Sequence, residues 1–203
     1  MAEITRRTMA GRSIRWNHER AEAAYREGHW VRSTLVDALL NAVHEEPDRV
    51  IVIEGSHSLS VKALYSRASM LAAELSSRYP LGSVVSFMLP NWHEAAIIYV
   101  AATLAGMVVH PILPSLRAHD MRFMLADLNS RLIFVPSSFR KHDYVAMMSE
   151  VVESLGSTLD VVVLRGGAGP FESFESMPSE CSMTPPSVEP DAVQMIMYTS
   201  GTT

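Results

Sequence analysis

The sequence predicts an α/β fold: a mostly parallel sheet with flanking helices, plus a small hairpin. Three observations carry that expectation. Four short runs, "SVVSFML" from Ser83, "MVVH" from Met107, "RLIFV" from Arg131 and "DVVVL" from Asp160, are apolar throughout rather than alternating. Strands buried on both faces require that pattern. Three amphipathic helical stretches separate the four runs, which is the alternation of a parallel sheet with right-handed crossovers. Proline, glycine and small polar residues punctuate nearly every junction between them.

The elements follow in order. The first 30 residues are polar, with a short helix expected around Asn17 to Glu27, and Arg6, Arg7, Arg12 and Arg15 read as a solvated leader. Ser33 or Thr34 can cap a helix with Leu35, Leu39, Ala42 and Val43 on its apolar face, stopped by Pro47. "RVIVIEGSHSLS" reads as two short strands around Gly55-Ser56. Ser60 then caps a helix carrying Val61, Leu64, Ala68, Leu71 and Leu75 at a period near 3.6. Asn91 with Glu94 three residues on resembles a capping box for a helix running through Ala105, which makes Glu94 a cap rather than a general base. Met121, Met124, Leu125 and Leu128 form the next stripe, where the methionines read as core filling. Asp143 caps a helix carrying Val145, Met148, Val152 and Leu155, and Gly156 ends it. Arg165 to Pro190 reads as a long surface loop in which "GGAG" is a plain turn, and "AVQMIMY" resumes as a strand. The division expected is 1–32 as a leader with a short helix and 33–203 as an α/β unit.

Composition excludes several classes. With 48% hydrophobic and 19% charged residues, the 203-residue chain can build a real core. A net charge of −5 argues against nucleic-acid binding, which draws its affinity from basic residues on phosphates. The longest apolar stretch, Ala95 to Val109, is shorter than the ~20 residues a membrane span needs. No apolar secretory segment marks the N-terminus, so a cytoplasmic location is expected. The lone Cys181 sits among Ser, Pro and Met and reads as a spare loop thiol. The eight histidines lack ligand spacing; His57 and His110 fall at strand edges in structural or solvent roles, so no metal site is expected.

The chemistry concentrates in "TSGTT", Thr199 to Thr203. It follows a strand at the carboxyl end, where open α/β sheets bind ligands. Gly201 permits close backbone approach, and Thr199, Ser200, Thr202 and Thr203 offer hydroxyls beside consecutive N–H groups. Such a set can grip a polyphosphate. Five residues alone also fit a Ser/Thr-rich turn with no ligand, and both readings stand on these residues.

"MIMYTSGTT" resembles the phosphate-loop signature of the adenylate-forming enzymes, the superfamily of acyl-CoA synthetases, aryl-AMP ligases and luciferase. That motif runs Tyr-Thr-Ser-Gly-Thr-Thr-Gly-x-Pro-Lys-Gly, and Tyr198 to Thr203 match its first six positions. Upstream, "YREGHW" from Tyr25, "SHSLSVKALYSRASMLAAEL" from Ser56 and "VVSFMLPNWHEAAIIYVAATLAGMVVHPILPSLRAHDMRFML" from Val84 are similar to successive family blocks. "SRLIFVPSSFRKHDY" is similar to the carboxylic acid–CoA ligase branch, nearest the cyclohexanecarboxylate and medium-chain type. Gly82-Ser83 stands where the family commonly has Gly-Asp, and His119-Asp120 replaces a usual Glu-Leu.

The resemblance implies the first subdomain of the family's N-terminal domain, cut within the phosphate loop. It implies a reaction of a small carboxylic acid with ATP to give acyl-AMP and pyrophosphate, then a thioester with CoA. Thr199, Ser200, Gly201, Thr202 and Thr203 would hold the β- and γ-phosphates, while Tyr198 anchors the strand end. ATP, Mg²⁺ and CoA are the implied cofactors, and a homodimer is the implied assembly. The family's acidic Mg²⁺ residue, ribose-binding aspartate, hinge and catalytic lysine belong to later motifs, so no residue here is expected to be catalytic and the piece is expected to be inactive alone. Two alternatives stand beside that reading: a non-catalytic interaction or oligomerisation module on the ligase fold, and an aryl-AMP ligase that loads a carrier protein.

Overall fold

The computed structural model describes residues 5–9, 12–156, 159–177 and 183–199. Two strands, β1 (Thr5–Met9) and β2 (Arg12–Trp16), pair antiparallel. Helix α1 (His18–Arg26) follows, its first turn closed by the Asn17 Oδ1 accepting from the Arg20 N–H at 2.8 Å. The arginines expected as a solvated leader therefore belong to a hairpin. Arg7 reaches Asp191 at 3.4 Å, the Tyr25 hydroxyl donates to the same carboxylate, and Arg12 donates to the Leu128 carbonyl at 3.2 Å. These contacts join residues far apart in sequence, so no local pattern announces them.

Helix α2 (Leu35–Glu45) opens on a capping box in which Thr34 and Asp37 satisfy each other's backbone N–H groups. Strands β3 (Val50–Glu54) and β4 (His57–Ser60) form the expected hairpin. Helix α3 (Val61–Arg78) starts on the Ser60 hydroxyl, which accepts from the Ala63 N–H at 3.2 Å. Then come β5 (Val84–Phe87), α4 (His93–Leu104), β6 (Val108–Pro111), α5 (Ala118–Asp127) and β7 (Leu132–Pro136). A tight hairpin of β8 (Ser138–Phe139) and β9 (His142–Asp143) leads into α6 (Tyr144–Leu155), capped by Asp143 and ended by Gly156 at φ 57°. Strand β10 (Asp160–Leu164) and the short β11 (Glu172–Ser173) complete the sheet.

The sheet is parallel throughout, in the order β11-β10-β7-β5-β6. Its alternate residues feed two cores. Leu132 and Phe134 of β7, with Val162 and Leu164 of β10, pack against α3 and α4. Ile133, Val135, Val161 and Val163 face the other way, onto α5 and α6, where Met121, Met124 and Met148 are buried as expected. Phe134 is fully buried, so truncating it to alanine removes about 3–5 kcal/mol. Chain order along the sheet reverses at β5: the chain steps from β5 to β6, then crosses back to β7 on the other side. Helices α4 and α6, which follow the neighbouring strands β5 and β7, therefore lie on opposite faces.

Two expectations change here. The stretch from Arg165 to Pro190 is not all surface loop, because it contributes β11 and a single 3-10 turn, Phe174–Ser176, with Phe174 and Met177 packed on the core. Residues 192–198 do not form a strand; a single parallel bridge pairs Met195 with Val109. Cys181 lies outside the described residues.

Candidate functional site

All four long strands end on one edge, and their following connections carry the polar chemistry. The approach to "TSGTT" runs along β6. The Val109 N–H donates to the Gln194 carbonyl and the Ile196 N–H donates to the Val109 carbonyl, each at 2.9 Å. Because the pairing is parallel, the chain leaves toward the carboxyl edge, with Thr199 exposed at its end. Ser200, Gly201, Thr202 and Thr203 lie outside the described residues.

Tyr198 fastens this approach from the side. Its ring meets His110 and Phe123 edge-on at 5.5 and 5.9 Å, and its hydroxyl donates to the Asp127 carboxylate. Burial first, then that carboxylate, raises the phenol pKa well above its ordinary value, so it stays protonated. Under Tyr198, His110 is 1% exposed on β6, in the structural one of the two roles expected of it. Its Nδ1 is 2.9 Å from the Ser86 Oγ, which is 2.7 Å from the Ser130 Oγ. Burial pushes the imidazole down to about 4, so it is neutral at pH 7. Three polar side chains in an otherwise apolar layer satisfy one another, which is what makes them tolerable there.

At the end of β10 a second constellation forms around Arg165. Its Nε and Nη2 donate to Glu94 at 2.8 and 2.6 Å, and its Nη1 and Nη2 donate to Glu54 at 2.8 and 2.9 Å. Trp92 lies under the guanidinium at 4.0 Å. The His93 N–H also donates to Glu54 at 2.7 Å, and the His57 ring stacks on His93 at 5.3 Å. Arg165 holds the Glu54 carboxyl down to about 2, against the opposing effect of burial. This corrects the expected capping box. Helix α4 has Trp92 at its N-cap with no side-chain cap bond, and Glu94 binds an arginine 71 residues away instead.

Glu54, His93 and Glu94 bring ligand-type atoms within 4.8 Å of one another. They do not fit a resident Mg²⁺, because the guanidinium already takes both carboxylates and its charge opposes a second cation. No step is derived through a metal at these residues.

The class this fold defines is an open α/β protein with a parallel sheet covered by helices on both faces, in which ligands bind at the carboxyl ends of the strands. The sequence matches the AMP-binding enzyme family over residues 39–203, and the chain belongs to that family. It is 25% identical over 196 residues to the medium-chain fatty-acid–CoA ligase of Escherichia coli K12, covering 94% of this chain and 35% of that one. With the salicylyl-CoA synthase / salicylate adenylyltransferase of a Streptomyces species it shares 28% over 157 residues, 77% of this chain and 28% of the relative. The structure of Mycobacterium smegmatis MbtA superposes with a TM-score of 0.80 at 25% identity, over 92% of this chain and 35% of that one. The chain thus spans about a third of the length of the relatives it matches. No helix among the described residues is long and apolar enough to cross a membrane.

Proposed function

We propose that this chain serves an ATP-dependent, AMP-forming carboxylic acid–CoA ligase, as the part that starts the phosphate loop. The observation that carries the reading is the parallel passage of residues 193–199 beside β6, which brings Thr199 to the carboxyl edge. The family match over residues 39–203 supports it. In the reaction, a carboxylate oxygen attacks the α-phosphorus of ATP and pyrophosphate leaves. A thiolate sulfur then attacks the acyl carbon and AMP leaves. The acid supplies its own nucleophile, so the protein's work is positioning and charge stabilisation. Thr199, Ser200, Gly201, Thr202 and Thr203 take the β- and γ-phosphates, and Tyr198 with His110 holds the extended segment that leads to them. Mg²⁺ and CoA are bound by residues other than Glu54, His93 and Glu94.

With Tyr198 to Thr203 matching six positions of the signature, the chain by itself is expected to bind ATP weakly. Calorimetry of this chain with ATP and Mg²⁺ tests that, and a tight, Mg²⁺-dependent affinity would sink it. ATP–pyrophosphate exchange, measured on the native protein against a panel of acids, tests the reaction. No exchange with any carboxylic acid would favour an interaction module instead. A second reading is an aryl-AMP ligase that loads a carrier protein, and the salicylate-activating relative supports its aromatic acid alone.

A further inference from the structure

The sheet holds the segment that leads to Thr199 only weakly. Among the described residues one bridge, between Val109 and Met195, ties it to β6, through the Val109 and Ile196 N–H groups. Two backbone bonds do not offset the cost of ordering the extended stretch from Val193 to Thr199. Side chains supply the remainder, and three of those contacts come from the polar leader at the start of the chain.

Asp191 stands eight residues before Thr199, with its side chain 20% exposed. The Tyr25 hydroxyl donates to its Oδ1, and the Arg7 Nη1 lies 3.4 Å from its Oδ2. These two donors belong to one cluster. The Tyr25 ring meets Trp30 edge-on at 5.5 Å, and Trp30 tilts against Trp16 at 6.1 Å. Arg7 lies over Trp16 at 5.1 Å, and Arg32 covers the Tyr25 ring at 4.1 Å. Hairpin, helix α1 and the turn after it therefore present a hydroxyl and a guanidinium to a single carboxylate. The Arg7 side chain is 44% exposed, so its ion pair contributes little, and the Tyr25 bond carries this anchor.

The leader also reaches the far end of the segment. Arg12 Nη2 donates to the Leu128 carbonyl at 3.2 Å. Leu128 packs with Val193, Ile196 and Tyr198, and the neighbouring Asp127 accepts from the Tyr198 hydroxyl. One leader thus grips the start of the segment and the base on which its end rests.

We propose that residues 5–32 are a strap that sets the position of the segment leading to Thr199, with Tyr25, Asp191 and Arg12 as its positioning residues. They act by raising the fraction of chains in which Thr199 stands ready at the carboxyl edge. Apparent affinity for a ligand scales with such a fraction. The strap stands on the geometry alone; its effect on ATP rests on the ligase reading.

Amide hydrogen exchange of the 203-residue chain tests the strap without any nucleotide. Tyr25→Phe keeps the ring and removes the donor, so the Val109 and Ile196 amides should exchange about fivefold faster or more. Arg12→Met should speed the same two amides from the other end. The amide of Val162, buried in the middle of β10, should respond to neither variant. Tyr25→Phe combined with Asp191→Asn should be non-additive, because both weaken one bond. Unchanged Val109 and Ile196 amides overturn the strap, and so does equal acceleration at Val162, which marks a general loss of stability. In the native protein, Tyr25→Phe should raise the KM for ATP about threefold or more in ATP–pyrophosphate exchange. The KM for the acid should stay the same, and saturating ATP should restore the full rate. Faster amides with an unaltered KM for ATP overturn the positioning role. If the unaltered protein shows no ATP–pyrophosphate exchange with any acid, the ligase reading fails instead, and the amides still decide the strap.

Discussion

Arg165 and Arg140 both stand at the carboxyl edge of the sheet in left-handed backbone, at φ 55° and 48°. Arg165 is enclosed by Glu54, Glu94 and Trp92, whereas Arg140 has only the Phe139 ring, 5.3 Å away. The same local cost is offset inside the fold at one position and left open at the other. Strain with a partner is structure, fastening β10, α4 and the β3–β4 hairpin together. Strain without such a partner is a local cost of the β8–β9 turn.

The largest expected effect follows at the enclosed arginine. Arg165→Met leaves two partly buried carboxylates facing each other and should cost about 2–4 kcal/mol in chemical denaturation. Arg140→Gln should move stability by less than about 0.5 kcal/mol. Equal losses would erase the distinction.

Acid gives a second, intermediate contrast. The folded Glu54 carboxyl is depressed from 4.5 to about 2, so its contribution is full above pH 4.5 and disappears as pH falls toward 2. Glu54→Gln should flatten the stability profile in that window, and Arg140→Gln should leave it unaltered. His110, neutral and depressed to about 4, acts earlier. Below about pH 6.5 the unfolded chain takes a proton that the folded one refuses, so stability falls from there down to pH 4. His110→Gln should remove that limb of the profile.

The smallest effect has the opposite sign. Arg140→Gly or Lys141→Gly relieves left-handed strain and should raise stability by about 0.5–1 kcal/mol, read as a rise in the unfolding midpoint. Arg165→Gly relieves the same strain but loses its carboxylate partners, and should be net destabilising.

Much of this fold is legible in the chain because its signals are local. Strands β5, β6, β7 and β10 announce themselves as unbroken apolar runs, and Thr34, Ser60 and Asp143 cap where a short polar residue precedes a stripe. What escapes is set by distance. The β1–β2 hairpin is polar and anchored through Asp191, 184 residues from Arg7. Glu94 satisfies a three-residue capping rule on paper, yet a bidentate arginine outcompetes a single backbone N–H. Residues 192–198 have strand composition but a neighbour on β6 alone among the described strands, so the ladder shrinks to one bridge. In the candidate site, Tyr198 anchors as its position suggests. The polar layer of Ser86, His110 and Ser130 becomes visible only when β5, β6 and the connection before β7 are laid side by side.

That single bridge between Val109 and Met195 has a consequence for how this region tolerates change. Side chains alternate along an extended segment, so register decides which of them face inward. Deleting one residue between Met195 and Tyr198 would turn the tyrosine ring away from His110 and carry its hydroxyl off Asp127. Substitutions there alter one contact, but a change of length alters all of them. In a library of point substitutions and single deletions, the stretch from Val193 to Tyr198 should therefore accept many of the former and almost none of the latter.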